Sequence, residues 1–447
     1  MPDEVSRELP ADTERTPVVL TLVIILLFAL LLLRVPVGFA IGIAGLVGLL
    51  AHGGPATALG FAETTLYSGV SAYTLAPIPL FILMAQFVLC SGVADELFAA
   101  ARVWVGRTPA GLGVATTTSG AAFAAVSGSS TAAAAALAST TIPEMERQNY
   151  EPRLANGLVA IVGTLAAMVP PSIILVFYAI LAEESVSRML IAGLVPGALI
   201  TVAIIITTLI LVRRDPELAP AGERYPFSEK IRVIPTLGPV AVLFALVVGS
   251  IYFGLATPTE AAGVGAAGAL LIGLARRRLT LENIRDSLVA TLKSSSMILL
   301  IVASAYLFGY YMALTDVTTT LVDAIGGLGW PPLVIFALIA LVYLLLGAFL
   351  DQMAILALTV PVVLPLIEQL GYDPIWFGIM VILIAEIGLV TPPLGLNVFI
   401  VASTTGRRSE EIFVGVIPFI VALLLLVVLL SVFPGIVMWL PDTMAGT

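Results

Sequence analysis

The sequence predicts an all-α polytopic membrane protein built from two inverted-topology repeats with re-entrant hairpins and Pro-broken helices. Three observations carry that prediction: a composition suited to lipid, prolines that recur at a fixed offset, and basic residues that change sides between the repeats. Of 447 residues, 60% are hydrophobic and 11% charged, with mean hydropathy +1.11, whereas a soluble domain carries about 25% charge. Apolar runs near the ~20 residues needed to cross a bilayer recur from end to end, among them Val18 to Leu33, Leu237 to Ile251 and Val414 to Phe433.

Residues 1–16 form an acidic tail carrying Asp3, Glu4, Glu8, Asp12 and Glu14. A signal peptide would need positive charge there, so the first apolar run is expected to be retained. The first repeat spans 17–212 and the second 237–435. Shifting the chain by 222 residues superimposes Pro17 on Pro239, Pro36 on Pro258, Pro109 on Pro331, Pro143 on Pro365, Pro152 on Pro374, Pro170 and Pro171 on Pro392 and Pro393, and Pro196 on Pro418. Eight of the eleven prolines between Pro17 and Pro196 match, where an average frequency of ~5% gives roughly one. Because proline fixes φ and interrupts helices, shared prolines mean a shared pattern of helix starts and breaks. The joining segment 213–236 is charged and holds Pro216, Pro220 and Pro226; residues 436–447 form a C-terminal tail.

Orientation follows from the positive-inside rule. The loop after Leu274 holds Arg276, Arg277, Arg278, Arg285 and Lys293, but its first-half equivalent, His52 to Ser71, has no Lys or Arg. Conversely, Arg102 and Arg107 correspond to Asp323 to Trp330, which has none. Equivalent segments facing opposite sides are the mark of inverted repeats. With five crossings per half, Arg34, Arg102, Arg107, Arg147, Arg153, the linker, the Arg276 loop, Arg407 and Arg408 fall in the cytoplasm, and only Arg7, Arg15 and Arg188 outside. Both termini are then periplasmic.

Two matched pairs of segments break the helical rule. Pro170-Pro171-Ser172 interrupts an apolar stretch, as does its mate Thr391-Pro392-Pro393-Leu394-Gly395-Leu396-Asn397. Tandem prolines free backbone carbonyls, which is tolerated in lipid only where the chain lines a cavity or is packed in protein. Ala121 to Ala138 is a small-residue stretch with Ser127-Gly128-Ser129-Ser130 at its centre. Since Arg107 and Arg147 lie on one side, the residues between them must enter and return, making a re-entrant hairpin. Its mate, Leu333 to Pro365, has Phe349-Leu350-Asp351-Gln352 at the corresponding place, and the shift puts Asp351 on Ser129. An acid within a membrane is functional or ion-paired by default, which covers Asp351 and also Glu386, although a structural hydrogen bond would equally account for Glu386.

At these residues the chain resembles the large membrane subunit of tripartite ATP-independent periplasmic (TRAP) transporters. The resemblance rests on Gly254-Leu-Ala-Thr-Pro-Thr-Glu-Ala-Ala262, Ser127-Gly-Ser-Ser130, Pro170-Pro-Ser-Ile173, Pro79-Leu-Phe81 and Glu386-Ile-Gly-Leu-Val-Thr-Pro-Pro-Leu-Gly-Leu-Asn397. It implies an elevator-type, Na⁺-driven importer in the bacterial inner membrane. A small four-helix membrane subunit and a periplasmic binding protein, expected as separate polypeptides, would deliver an acidic solute: a C4-dicarboxylate, keto acid, sugar acid or sialic acid. It further implies Na⁺ sites where each hairpin tip meets the broken helix of its own repeat: Ser127, Ser129 and Ser130 with the carbonyls of Val169 and Pro170, and Gly347 and Asp351 with Thr391, Pro392, Gly395 and Asn397. Ser129, Ser130, Ser172 and Asn397 are the expected solute contacts. No Lys or Arg lies near either break, so helix N-termini and hydroxyls would have to hold an anion.

Other function classes fit less well. His52 and Cys90 stand alone and away from the breaks, which leaves a membrane enzyme without a nucleophile–base pair or a metal cluster. No nucleic-acid partner is expected; the surroundings are lipid. The nearest alternative is a single-component Na⁺/carboxylate symporter of related fold.

Overall fold

A computed structural model describes residues 16–105, 108, 110–220, 222, 225–326 and 329–444. The acidic tail up to Arg15, together with Arg107 and Pro109, lies outside the described residues. Apolar segments satisfy their backbone groups in lipid by bonding within the segment, and every regular element described is helical. The first half comprises α1 (Thr16–Leu32), α2 (Val37–Ser71), α3 (Pro77–Cys90), α4 (Val93–Val105), α5 (Gly111–Ser127), α6 (Ser130–Arg147), α7 (Pro152–Gly163), α8 (Leu165–Met168), α9 (Ile173–Leu181), α10 (Val186–Ala192) and α11 (Leu194–Arg214). After α12 (Phe227–Arg232), the second half comprises α13 (Ile234–Phe244), α14 (Ser250–Tyr252), α15 (Pro258–Ala275), α16 (Leu281–Leu314), α17 (Val317–Gly326), α18 (Pro332–Gly347), α19 (Gln352–Gln369), α20 (Pro374–Gly388), α21 (Leu396–Thr405) and α22 (Ser409–Val432), then α23 (Gly435–Met438). Among the described residues, eight helices are long and apolar enough to span a membrane, and Pro152–Met168 with Ile173–Leu181, bent by 47° at the break, makes a ninth.

The repeat is visible helix by helix. Helices α6 and α19 begin and end 222 positions apart, α7 and α20 both start on a proline, and the Pro170–Pro171 and Pro392–Pro393 bonds are both cis. Helix α11 runs two residues into the segment expected as a linker, and that segment is itself partly helical in α12.

Two stretches read from the sequence as loops are helical. His52 to Ser71 continues α2, with only Gly54 (φ 77°, ψ 177°) outside helical geometry. Gly53-Gly54-Pro55 looks like a turn, but Pro55 sits where a helix restarts, and there its missing N–H costs nothing. Likewise Arg285 and Lys293 lie within the 34-residue α16.

The halves interlock. Helix α2 lies along α16, and α3 along α15. Hairpin helix α6 packs on α7 of its own half and on α21 of the other; α19 packs on α20 of its own half and on α9 of the other. Gly128 turns hairpin 1 in the left-handed region (φ 59°), and a Cβ there would lie 3.0 Å from Pro171 O, so the tip needs glycine for both its conformation and its approach to the break.

Arginines assigned to the cytoplasm form ion pairs with acidic residues of other elements: Arg276 to Glu96 at 2.6 Å, Arg102 to Glu144 at 2.6 Å and Arg407 to Glu146 at 3.3 Å. Arg188, assigned outside, instead meets Asp442 near the C-terminus at 3.2 Å. Such half-exposed pairs contribute about 1 kcal/mol or less each, so they report placement more than they stabilise. A cysteine placed at Gly54, which has open space beside it, should therefore react with an impermeant maleimide from the periplasm. One at Arg277 should react only from the cytoplasm, both in a Cys90→Ser background. Labelling of both from one side would leave a parallel duplication in place of an inverted one.

Candidate functional site

The first residues of four helices, α6, α9, α19 and α21, line one cavity. Each N-terminus presents unpaired N–H groups and positive partial charge, while the preceding helices end in free carbonyls. Local chemistry sets these starts. Ser129 caps α6 by accepting from Ala132 N at 3.4 Å, and Asp351 caps α19 by accepting from Met353 N at 3.0 Å and Ala354 N at 3.2 Å. The pair equated by the repeat thus performs the same capping task.

Ser130 is the centre of a buried polar group drawn from both repeats. Its hydroxyl donates to Glu386 Oε2 at 3.0 Å and accepts from Asn397 Nδ2 at 2.9 Å. Glu386 and Asn397 are 1% and 0% exposed. Gln352 of hairpin 2 lies beside the Glu386 carboxylate, its Nε2 donating to Ile382 O at 3.5 Å. Three buried oxygens around this knot have no hydrogen-bond partner: Ser127 Oγ, Glu386 Oε1 and Asn397 Oδ1. Buried polar atoms are almost always paired, and a carboxylate oxygen with no donor in a membrane interior is costly. The donor set, all oxygen, suits a hard monovalent cation.

Beside this knot lies a cavity of about 420 Å³ between the two hairpin tips and helices α3 and α16. Ser127, Ser129, Ser130 and Asp351 line it. The other expected residues lie elsewhere. Ser172 is fully buried, donating to Ala167 O at 2.6 Å and capping Leu175 N at 3.4 Å, so its hydroxyl is committed to the break and not to the cavity. Gly347 lets α18 approach α20, with Ala385 O only 2.8 Å from where a Cβ would stand. Thr391 bonds Ile387 O at 2.7 Å, Pro392 is exposed, and Gly395 (φ 46°) opens α21. Val169 and Pro170 lie in the first break, and Ser130's partners are Glu386 and Asn397 instead. Gly128 of the first tip approaches Pro171 of its own repeat's break, but Ser130 bonds across to the second repeat. Sequence reasoning passed over Gln352, a polar residue directly after Asp351, and the two polar residues that α3 and α16 bring to the cavity, Gln86 and Ser294.

The profile of the family described as tripartite ATP-independent periplasmic transporter, DctM component, matches residues 24–436. The chain belongs to that family. The permease is 31% identical over 421 residues to the sialic acid TRAP transporter large permease protein SiaM of Vibrio cholerae, covering 93% of this chain and 97% of that one. It is 32% identical over 371 residues to the C4-dicarboxylate TRAP transporter large permease protein DctM of Pseudomonas aeruginosa, covering 83% and 86%. With the isethionate TRAP transporter permease protein DctMQ of Oleidesulfovibrio alaskensis it shares 29% over 414 residues, or 92% of this chain and 65% of that protein. The solved YdaH transporter of Alcanivorax borkumensis has the same fold, with TM-score 0.64 and 16% identity over 85% of the permease and 89% of that chain. The permease is thus a multi-pass protein of the bacterial inner membrane and a transport component.

Proposed function

We propose that this permease couples an inward Na⁺ gradient to the import of a small acidic solute, delivered by a periplasmic binding protein and admitted with the help of a small four-helix membrane subunit. The observation that supports this reading is the set of three unpartnered buried oxygens, Ser127 Oγ, Glu386 Oε1 and Asn397 Oδ1, around a serine that ties a hairpin tip to a broken helix. A cation entering there replaces its lost water with oxygens supplied by both repeats, and so draws hairpin 1 onto the second break. Its charge, with the N-termini of α6 and α19, compensates an anion in the adjoining cavity without any Lys or Arg. The relatives are named for sialic acid, C4-dicarboxylate and isethionate. All three are acids, and the last widens the solute class to sulfonates. In an elevator movement, the hairpins and broken helices travel together past α2, α3, α15 and α16. The tripartite family over 24–436 favours the three-component reading over a single-component symporter.

Reconstitution with the neighbouring binding protein and small subunit tests this. Uptake of one of these acids should require the binding protein and rise with an imposed inward Na⁺ gradient. Uptake indifferent to Na⁺ at every concentration would remove the coupling.

A further inference from the structure

The cavity has two walls, and only one belongs to the hairpins. The other is α3 and α16, whose cavity-facing residues Ile82, Ala85, Leu89, Met297 and Ile298 are apolar. Gln86 and Ser294 are the two exceptions, both half-buried and both on the lining. We propose that Gln86 and Ser294 form a fixed half-site that hydrogen-bonds the carboxylate or hydroxyl oxygens of the transported solute only while the hairpin tips stand opposite them on the cytoplasmic side. This rests on the transport reading above and deepens it.

Three observations support the assignment. First, neither side chain has a hydrogen-bond partner among the described residues, whereas Thr291, one turn before Ser294, bonds back to Ser287 O at 2.8 Å. Threonines of other spanning helices do the same, as Thr208 does to Ile204 O at 2.8 Å. A glutamine amide has two donors and an acceptor, so Gln86 keeps hydrogen-bonding capacity free for a solute. Second, Gln86 lies one turn before the end of α3, and Ser294 lies just past the basic residues of α16 that the charge pattern assigns to the cytoplasm. Helix α3 ends at Cys90, whose Sγ is 3.8 Å from Ser287 Oγ, and Ser294 directly follows Lys293, assigned to the cytoplasm. Third, the repeat places Phe308 at the equivalent of Gln86 and Ala72 at the equivalent of Ser294. The repeat therefore does not duplicate this pair of groups at the equivalent positions.

A contact made in one state biases the equilibrium by its own differential affinity. In proteoliposomes holding the whole three-component system, Gln86→Leu and Ser294→Ala should each raise the half-saturating concentration of the transported acid about three- to tenfold when it is supplied from the cytoplasmic side. The periplasmic value and the Na⁺ dependence should stay near wild type. The acid used is whichever of succinate, N-acetylneuraminate or isethionate the wild type carries. An equal rise on both sides, or none, would overturn the half-site, since a packing role has no sidedness. Independently of any solute, Gln86→Cys in a Cys90→Ser background should react with an impermeant maleimide in inside-out vesicles, and failure to react there would also overturn it. A wild type that carries none of the three acids counts against the transport reading, while the labelling still decides the position of Gln86.

Discussion

Asn397→Ala should raise the Na⁺ concentration for half-maximal uptake roughly tenfold or more while the protein remains inserted and assembled. The substitution removes an unpartnered buried oxygen, Asn397 Oδ1, and the amide donor to Ser130. Losing one such buried polar partner costs on the order of 1 to 3 kcal/mol, and about 1.4 kcal/mol is tenfold in affinity. Ser130→Ala should act alike, because it cuts the links to both Glu386 and Asn397. Ser129→Ala should shift Na⁺ dependence less, since the Ser129 hydroxyl is engaged with Ala132 N and lies 3.2 Å from Thr131 Oγ1. Ser403→Ala serves as the control: its exposed hydroxyl bonds only Ile400 O, at 2.9 Å. Wild-type Na⁺ dependence in both the Asn397 and Ser130 variants would mean that these oxygens bind no cation and that the knot is purely structural.

A second large effect is expected where hairpin 2 meets its broken helix. A Cβ at Gly388 would stand 2.5 Å from Gly347 Cα and 2.9 Å from Leu344 O. The obstacles are backbone atoms, which cannot rotate away as a side chain can. Gly388→Ala should therefore destabilise by about 1 to 3 kcal/mol, the usual cost of overpacking, and Gly388→Val should prevent recovery of monodisperse protein. Thermal unfolding followed by size-exclusion chromatography in detergent measures both. A Gly388→Val permease that elutes and melts like the wild type would show that α18 and α20 do not pack this closely.

Much of this architecture was legible because proline writes backbone breaks directly into the sequence. Pro143 with Pro365, and Pro170-Pro171 with Pro392-Pro393, marked hairpins and breaks that stand where the offset put them. The equation of Asp351 with Ser129 reappeared as two helix caps. What stayed hidden has a common physical cause: a repeat states which residues are equivalent, not which copy touches which. Ser130 could not be joined to Asn397 of the other half by any periodicity. The hydroxyl of Ser172 looked like a ligand because its commitment to Ala167 O depends on the three-dimensional course of the break. Gln86 gave a signal that went unused, a single amide in the otherwise apolar Pro77–Cys90 helix.

The bond from Asn397 to Ser130 spans 267 residues, and this sets a delay in biogenesis. At roughly 5–20 residues synthesised per second, hairpin 1 leaves the ribosome about ten to fifty seconds before the strand of chain that completes its tip. During that interval Ser130 sits in or near the membrane with its contacts to Glu386 and Asn397 unmade, and α6 lacks the helix α21 that will cover it. The first hairpin can therefore complete its polar contacts only once the last quarter of the chain has been translated.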